Sequence, residues 1–362
     1  MITVEDFERY ATDHLPRSVY NHVSAGSNDQ QTLNDNRSAF KRYRIRPRVL
    51  RDVSRRDLSA TILGHEFPLP IGIAPTGLQR LAYSDGDLAM ARAASSHGVI
   101  MILSSYATSS IEDVASAASP AGHLWFQLYI FSDRRHTEQL VRRAERAGYN
   151  AIVVTVDTPY AGKKYNDERC GFNPKVRLPN VEGGYFNSSV SSGTPDKYDS
   201  SEISPSVTWA DIQWLRSLTE LPVIVKGIIS GENALEAVAN NVDGIIVSNH
   251  GGRQLDGVPA PIDVLPEVLA ATKGTKVEVY MDGGIRQGTD VMKALALGAR
   301  AVFIGRPAWW GLTYKGEEGV QQVLQILRDE LDLALALSGC ASVRDLNPSM
   351  VVLGPDVAEA RL

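Results

Sequence analysis

The chain has 362 residues, of which 43% are hydrophobic and 22% charged, and its formal net charge is −5. This composition excludes a wholly disordered or collagen-like chain, and the length is enough to bury a large core without disulfide bonds. The mild acidity argues against a sequence-independent grip on nucleic acid or on an anionic membrane, because both require a basic surface.

The predicted elements fall into two regions. The first 45 residues predict helices, with Pro16 near a helix start and the acidic residues Asp6 and Glu8 early in the first helix. From residue 68 onward, short apolar runs alternate with helical patterns such as 87–96, 133–147, 232–240 and 289–297, which is typical of parallel strands covered by helices. The apolar runs are 69–74, 99–103, 124–129, 151–156, 222–225, 244–247, 277–281 and 301–304.

These eight units predict an α/β fold, a closed (β/α)₈ or TIM barrel, in which reactive groups stand at the C-terminal ends of the strands. A doubly wound open sheet is the alternative, but it should begin with a G-x-G-x-x-G turn, and none follows any run. We predict one domain with an N-terminal helical segment (1–67), a barrel (68–312) and C-terminal helices with a tail (313–362). An insertion at 173–207, after the fourth strand, is rich in Pro, Gly, Ser and Asn. We interpret it as a lid over the barrel mouth, or alternatively as a mobile insertion without such a role.

The cysteines and the tail bear on the compartment. Only Cys170 and Cys340 are present, which fits a reducing environment, and no Cys/His cluster has zinc spacing, so no metal site is predicted. The N-terminus lacks the apolar core of a secretory signal, and no run reaches the roughly 18 apolar residues of a membrane span. Ala360-Arg361-Leu362 has the form of the peroxisomal Ser-Lys-Leu address, which predicts a peroxisomal location, and otherwise a cytoplasmic one.

The strongest chemical motif, Ser-Asn-His-Gly-Gly-Arg at 248–253, follows the sixth run. His250 suits proton transfer near neutral pH, and Arg253 offers a planar fork for a carboxylate. The glycines between them let the backbone approach a flat ligand closely. Asp157, which ends the fourth run, could orient His250, although a helix-capping role is the alternative.

Other strand ends carry polar groups of a second kind. The last two runs end in Asp-Gly-Gly-Ile-Arg at 282–286 and in Gly305-Arg306, and barrels frequently bind phosphate with these loops. Tight turns with surface arginines are the alternative. Lys226, at the end of the fifth run, can neutralise an anionic cofactor or form a Schiff base, so aldolase-type chemistry is open at this point. Gln127 with Tyr129, and Thr155 with Asp157, are alternate residues that face one way.

Together these motifs resemble the FMN-dependent L-2-hydroxy-acid oxidase family, which includes glycolate, lactate and long-chain hydroxy-acid oxidases. The similarity runs from Leu15-Pro16 to Leu-Ser-Gly-Cys at 337–340 and includes Lys-Ala-Leu-Ala-Leu-Gly-Ala at 293–299. The resemblance implies a barrel holding FMN, assembled as a homotetramer or homo-octamer. It implies oxidation of an L-2-hydroxy acid to the 2-keto acid by hydride transfer to FMN, with O₂ as acceptor and hydrogen peroxide as product. It also supports the peroxisomal address, since many eukaryotic members are peroxisomal.

The resemblance implies a role for each matching residue. His250 is the expected base for the substrate hydroxyl proton, oriented by Asp157, while Arg253 clamps the carboxylate and Tyr129 contacts the reacting oxygen. Lys226 is expected near flavin N1, which removes the Schiff-base interpretation. The expected contacts to the flavin ring and ribityl chain are Pro75, Thr76, Ser104, Gln127, Thr155 and Ser248, and those to the ribityl chain and phosphate are Asp282, Gly284, Arg286, Gly305 and Arg306.

Four positions depart from the family pattern. His22 stands where a tyrosine contacts the substrate carboxylate, Lys164 replaces a second arginine and loses its bidentate fork, and Tyr106 stands where Trp is common. These three substrate-binding positions predict an active enzyme with an altered substrate preference. Gly77 replaces an alanine beside flavin N5, which enlarges the space where oxygen meets reduced flavin. This change leaves open a decarboxylation of the lactate-monooxygenase kind, and a flavin-binding protein without turnover is the remaining alternative.

Overall fold

A closed barrel of eight parallel strands forms the centre of the computed structural model, which describes residues 1–118, 120, 122–181 and 203–354. Neighbours in the chain are neighbours in the barrel, and the eighth strand closes the ring by pairing with the first, Val302 opposite Ile71. The predicted TIM barrel is therefore confirmed, and the open-sheet alternative is wrong. The first to eighth barrel strands are Ile71–Ile73, Ile100–Leu103, His123–Leu128, Ala151–Thr155, Val223–Ile228, Gly244–Val247, Glu278–Asp282 and Val302–Ile304.

Helices cover the strands because each strand is apolar on its outer face as well as its inner one, and both faces must be buried. The predicted helical patterns at 87–96, 133–147, 232–240 and 289–297 all form helices. In the described part of the chain the α-helices are α1 (Val4–His14), α2 (Arg17–Ser24), α3 (Gln31–Ser38), α4 (Asp87–Ser96), α5 (Ile111–Ala118), α6 (Arg134–Arg146), α7 (Tyr165–Cys170), α8 (Trp209–Leu218), α9 (Gly231–Ala239), α10 (Pro261–Ala271), α11 (Gly288–Leu297) and α12 (Arg306–Leu337).

The N-terminal segment wraps the barrel from its mouth to its closed end. It is helical as predicted as far as Lys41, but Tyr43–Ile45 is a strand, paired antiparallel with Val351–Leu353. A hairpin of Ala60–Ile62 and His65–Phe67 follows, and Ile62 and Phe67 pack into the apolar cluster inside the barrel. This hairpin closes the barrel end at which the strands begin, because the Leu63 N–H donates to Glu278, the first residue of the seventh strand.

The predicted division of the chain is not tested by the fold alone and stays a prediction. Its boundary at 312/313 falls inside α12, three residues before a kink at Lys315 and Gly316. Most of the predicted lid, 182–202, lies outside the described residues, as does the C-terminal tripeptide. Ile203, which re-enters the described chain, bridges to Phe131 and lines the barrel mouth. Among the described residues, no helix combines the length and apolar character that a membrane crossing requires.

Candidate active site

A cavity opens at the C-terminal ends of the barrel strands and holds about 1480 Å³ of empty space, counted with its open mouth. Residues from the strand-end loops and from α2 and α3 line it. The sequence-predicted residues in its wall are His22, Pro75, Thr76, Gly77, Ser104, Tyr106, Gln127, Tyr129, Thr155, Lys164, Lys226, His250, Arg253, Asp282, Gly284, Arg286, Gly305 and Arg306.

The two remaining predicted residues, Asp157 and Ser248, lie behind the wall and hold His250. The Nδ1 atom of His250 is 2.8 Å from Asp157 Oδ1, and the His250 N–H donates to Ser248 Oγ at 3.0 Å. Thr158 Oγ1 donates to the same Asp157 oxygen at 2.9 Å. Because an ionised carboxylate only accepts hydrogen bonds, the proton of a neutral His250 lies on Nδ1, and Nε2 is its basic nitrogen.

The electrostatics of this pair suit a base at neutral pH. Burial lowers the pKa of His250, and the nearby cations Lys226 and Arg253 act in the same direction, while Asp157 opposes them. Burial by itself would raise the pKa of Asp157, but the His250 and Lys226 charges and the His250 hydrogen bond hold that pKa below its usual value. The result is an ionised Asp157 beside a neutral His250.

Lys226, on the fifth strand, is buried and bonded to groups at the ends of the sixth and seventh strands. Its Nζ donates to Ser248 Oγ at 3.1 Å and lies 3.5 Å from Asp282 Oδ2. Ser248 therefore serves both the lysine and the backbone of His250. This arrangement fixes a positive charge on one side of the cavity and connects it to the loop that carries the predicted base.

The aromatic side of the cavity is formed by Tyr106 and Tyr129, whose ring centroids are 5.5 Å apart. The Tyr106 N–H donates to Ser104 Oγ at 3.1 Å. A Cβ atom on Gly77 would lie 3.1 Å from the Tyr106 carbonyl oxygen and 3.2 Å from its Cβ atom. The space that Gly77 leaves is therefore bounded by the Tyr106 backbone, and the absence of a methyl lets the first and second strand-end loops approach closely.

The substrate side brings together two of the positions that depart from the family, His22 and Lys164, beside Arg253. Arg253 Nη1 donates to the carbonyl oxygens of His22 and Ala25 at 2.8 and 3.0 Å, and Nη2 is 3.4 Å from His22 Nε2. Lys164 is buried beside them, with Nζ donating to Gly162 O at 3.1 Å. Burial lowers the pKa of Lys164 to about 7, and the Arg253 charge acts in the same direction.

Sequence reasoning missed Asp167, whose Oδ2 lies 2.9 Å from His22 Nδ1. The His22 ring also stacks on Phe172, with centroids 3.9 Å apart. Burial lowers the pKa of His22 to about 4, with Arg253 and Lys164 adding to this effect and Asp167 opposing it. A signal was present in the sequence, because Asp167 is a carboxylate three residues beyond the predicted cation Lys164.

The two arginines of the predicted phosphate grip differ in what they bind. Arg306 donates Nε to Val23 O, Nη1 to Gly251 O and Nη2 to Ala25 O, all within 2.9 Å, so its side chain anchors the end of α2. Arg286 donates Nη1 to Ile285 O, while its buried Nε has no partner among the described residues. The N-terminus of α12 also begins at this end of the cavity, and such a terminus favours an anion.

Residues 11–353 match the family described as FMN-dependent dehydrogenase, and the chain belongs to this family. Human 2-hydroxyacid oxidase 1 is 51% identical over 362 residues, covering 98% of this chain and 97% of that protein. Glycolate oxidase of Spinacia oleracea is 48% identical over 363 residues, covering 99% and 97%. A solved structure of mandelate oxidase with (S)-4-hydroxymandelic acid superposes with a TM-score of 0.91 at 40% identity, covering 97% of this chain and 98% of that one.

The cofactor of this family is FMN, and the cavity wall fits it. Three wall residues each carry a buried polar atom with no partner among the described residues: Gln127 Nε2, Asp282 Oδ1 and Arg286 Nε. A donor, an acceptor and a cationic donor match a ring carbonyl, a ribityl hydroxyl and a phosphate, and buried polar groups require such partners. Gly284 lets the loop after the seventh strand pack directly against α3, because a Cβ at this position would lie 1.9 Å from Asn36 O. Its φ of +83° also favours glycine.

Proposed function

We propose that the chain oxidises an L-2-hydroxy acid to the 2-keto acid with FMN as cofactor, with dioxygen as final acceptor and hydrogen peroxide as product. The observation that carries this proposal is the hydrogen-bonded His250–Asp157 pair in a cavity shared with Arg253 and Tyr129. The relatives support it, since they are named as 2-hydroxyacid, glycolate and mandelate oxidases.

In the proposed reaction the chain's own residues bind the acid and take one proton. Arg253 binds the carboxylate, Tyr129 bonds the hydroxyl oxygen, and Nε2 of His250 removes the hydroxyl proton as the carbonyl forms. Asp157 then faces an imidazolium and stabilises it, because its charge lies one hydrogen bond away. Bound FMN would supply the acceptor for the α-hydrogen and its two electrons, and dioxygen would later be reduced by these two electrons to hydrogen peroxide.

We assign the cofactor contacts as follows. Gln127, with Thr76, Ser104 and Thr155, would hold the ring, and Lys226 would place a positive charge beside it. Asp282 would accept from the ribityl chain. Arg286, with the backbone N–H groups of Gly284, Gly305 and the start of α12, would hold the phosphate.

Anaerobic reduction tests the proposal. The purified holoenzyme is mixed with glycolate, lactate, long-chain 2-hydroxy acids and mandelate, and bleaching of the flavin absorbance is followed. We expect at least one acid to bleach the wild type and none to bleach His250→Ala, whereas the exposed His14→Ala control behaves as wild type. Failure of every acid in the panel to bleach the wild type would overturn the substrate class and leave the flavin-binding alternative.

Because Gly77 replaces an alanine expected beside the flavin, a second outcome of the reaction, oxidative decarboxylation, is also tested. In that outcome the substrate and O₂ give the acid one carbon shorter, with CO₂ and water, instead of keto acid and free peroxide. Product analysis under air separates the two, and we expect keto acid with stoichiometric peroxide.

The assembly and the location stay predictions. The homotetramer or homo-octamer rests on the resemblance to the oxidase family, and exposed large apolar side chains such as Val49, Leu50, Leu337 and Leu353 are candidates for burial in such an assembly. Light scattering on the holoenzyme checks it. The peroxisomal address at 360–362 lies outside the described residues.

A further inference from the structure

Three residues from three separate segments form a hydrogen-bonded chain at the substrate side of the cavity. Asp167 in α7 lies 2.9 Å from Nδ1 of His22 in α2, and Nε2 of His22 lies 3.4 Å from Nη2 of Arg253. His22 is only 3% exposed and is clamped flat against Phe172. The imidazole therefore has a fixed orientation, with one nitrogen toward a carboxylate and the other toward a guanidinium.

The donor inventory fixes the tautomer of this histidine. An arginine has N–H donors and no acceptor, so Nε2 of His22 must be the acceptor in its contact with Arg253. The proton is then on Nδ1, where it is donated to Asp167. Protonation of Nε2 would put two donors and two positive charges face to face, in keeping with burial and the Arg253 charge lowering the pKa of His22 to about 4.

The other half of the guanidinium is held by the C-terminal end of α2. Nη1 of Arg253 donates to the carbonyl oxygens of His22 and Ala25, groups that a helix end leaves without partners inside the helix. Arg306 donates to the Ala25 oxygen as well. With Nη1 and one Nη2 proton fixed in this way, the plane of the guanidinium is set, and its remaining donors form the edge that can meet a carboxylate.

We infer that His22 and Asp167 are positioning residues for Arg253, and that they set the affinity of the pocket for the substrate carboxylate. His22 thus does not substitute for a tyrosine hydroxyl as a donor to the substrate. It acts as an acceptor for the arginine, and Asp167 maintains the tautomer that makes this possible. The inference rests on the proposed function and adds the means by which the carboxylate clamp is oriented.

The test uses 2-hydroxy-2-methylpropanoate, a 2-hydroxy acid that has no α-hydrogen and so binds without being oxidised. Its dissociation constant is measured by titration calorimetry on the holoenzyme. We expect His22→Leu to raise the constant by about tenfold or more, the order expected for one hydrogen bond to a charged group. His22→Gln keeps an acceptor oxygen in reach of Arg253 and should stay within about threefold of wild type. With a 2-hydroxy acid that the enzyme does oxidise, His22→Leu should raise KM and leave kcat nearly unchanged.

A double-mutant cycle tests whether Asp167 acts through His22. Asp167→Ala should weaken binding by about tenfold in the wild type, and by less than about twofold when His22→Leu is already present. Multiplicative effects, unchanged affinities, or a Gln variant as weak as the Leu variant would overturn the inference. Flavin content and thermal midpoint identify any variant that fails to fold, in which case the remaining variants decide. Absence of binding by the wild type, together with no bleaching by any acid, would instead count against the proposed function.

Discussion

At the scale of single residues, the pKa of His250 is set by two opposing effects of its surroundings. Burial with Lys226 and Arg253 lowers its pKa below 6.5, and Asp157 opposes that fall. A lowered pKa means that the proton is held only in more acidic solution, so the basic form predominates at neutral pH. We expect kcat/KM to rise with pH, to reach its plateau near neutrality, and to have its acid midpoint below 6.5.

Replacing the orienting carboxylate tests the same pair from the other side. Asp157→Asn removes the charge that raises the pKa of His250, so the acid midpoint should move to lower pH. The rate should nevertheless fall by about 10²–10⁴-fold, because the imidazolium formed in the reaction loses its counter-charge and the tautomer is no longer fixed. The pH dependence of kcat/KM for both proteins checks this. An unchanged rate in Asp157→Asn would contradict the proposed base.

The residues that could be predicted from the sequence are those that follow a strand. In a parallel barrel every strand ends at the same rim, so His250, Lys226, Asp157 and Asp282 had to meet once the strands were recognised. Asp167 could not be placed in this way. It meets His22 across 145 positions of sequence, and their contact depends on how α2 and α7 pack over the rim. The anchoring of α2 by Arg306 was missed for the same reason.

At the scale of elements, two reciprocal hydrogen bonds between side-chain amides link α3 to the loop 248–253 that carries His250. Asn36 Nδ2 donates to Asn249 Oδ1 at 2.8 Å, and Asn249 Nδ2 donates back to Asn36 Oδ1 at 2.7 Å. Asn249 Oδ1 also accepts the Gly252 N–H, and its Nδ2 also donates to Pro259 O. This pair braces a loop in which His250 has a φ of +58°, a region that non-glycine residues seldom adopt.

Breaking the amide pair should therefore cost stability and loosen the loop. Asn36→Ala leaves part of the buried Asn249 amide unsatisfied, and we expect the free energy of unfolding to fall by about 1–3 kcal/mol. Asn233→Ala, at an exposed position on α9, is the matched control and should change it by no more than about 0.5 kcal/mol. Urea unfolding followed by tryptophan fluorescence measures both, and hydrogen exchange at 248–253 reports the loop. Equal values for the two variants would show that the amide pair does not brace the loop.

Elements with a local pattern were predictable, and elements made by distant pairing were not. The helices α4, α6, α9 and α11 follow from apolar spacing within one stretch of sequence. The strand Tyr43–Ile45 has no such pattern of its own. It forms by pairing with Val351–Leu353, about 300 residues later in the sequence. By contrast, the predicted boundary at 312/313 lies three residues before Lys315 and Gly316, whose backbone leaves the helical conformation and divides α12 into two helical segments.

At the scale of the whole molecule, charge is distributed unevenly along the barrel axis. The net charge is −5, yet Lys226, Arg253, Arg286 and Arg306 all line the cavity at one end. The opposite end is closed by the Ala60–Phe67 hairpin and an aromatic interior of Trp125, Tyr280 and Phe303. One end of the barrel thus stabilises the fold by apolar packing. The other end holds buried cations whose charge an anionic ligand can neutralise.

This polarity predicts that FMN stabilises the folded protein and that the phosphate contributes to the effect. At a free FMN concentration of about 100 times its dissociation constant, binding should add about 2.7 kcal/mol. For a chain of this length, that should raise the thermal midpoint of the apoprotein by about 3–4 °C. Riboflavin at the same concentration lacks the phosphate and should shift it less. Arg286→Met should reduce the difference between the two ligands, because the unpartnered Nε of Arg286 is the cationic donor assigned to the phosphate. Equal shifts by FMN and riboflavin in the wild type would show that the phosphate does not contribute to binding.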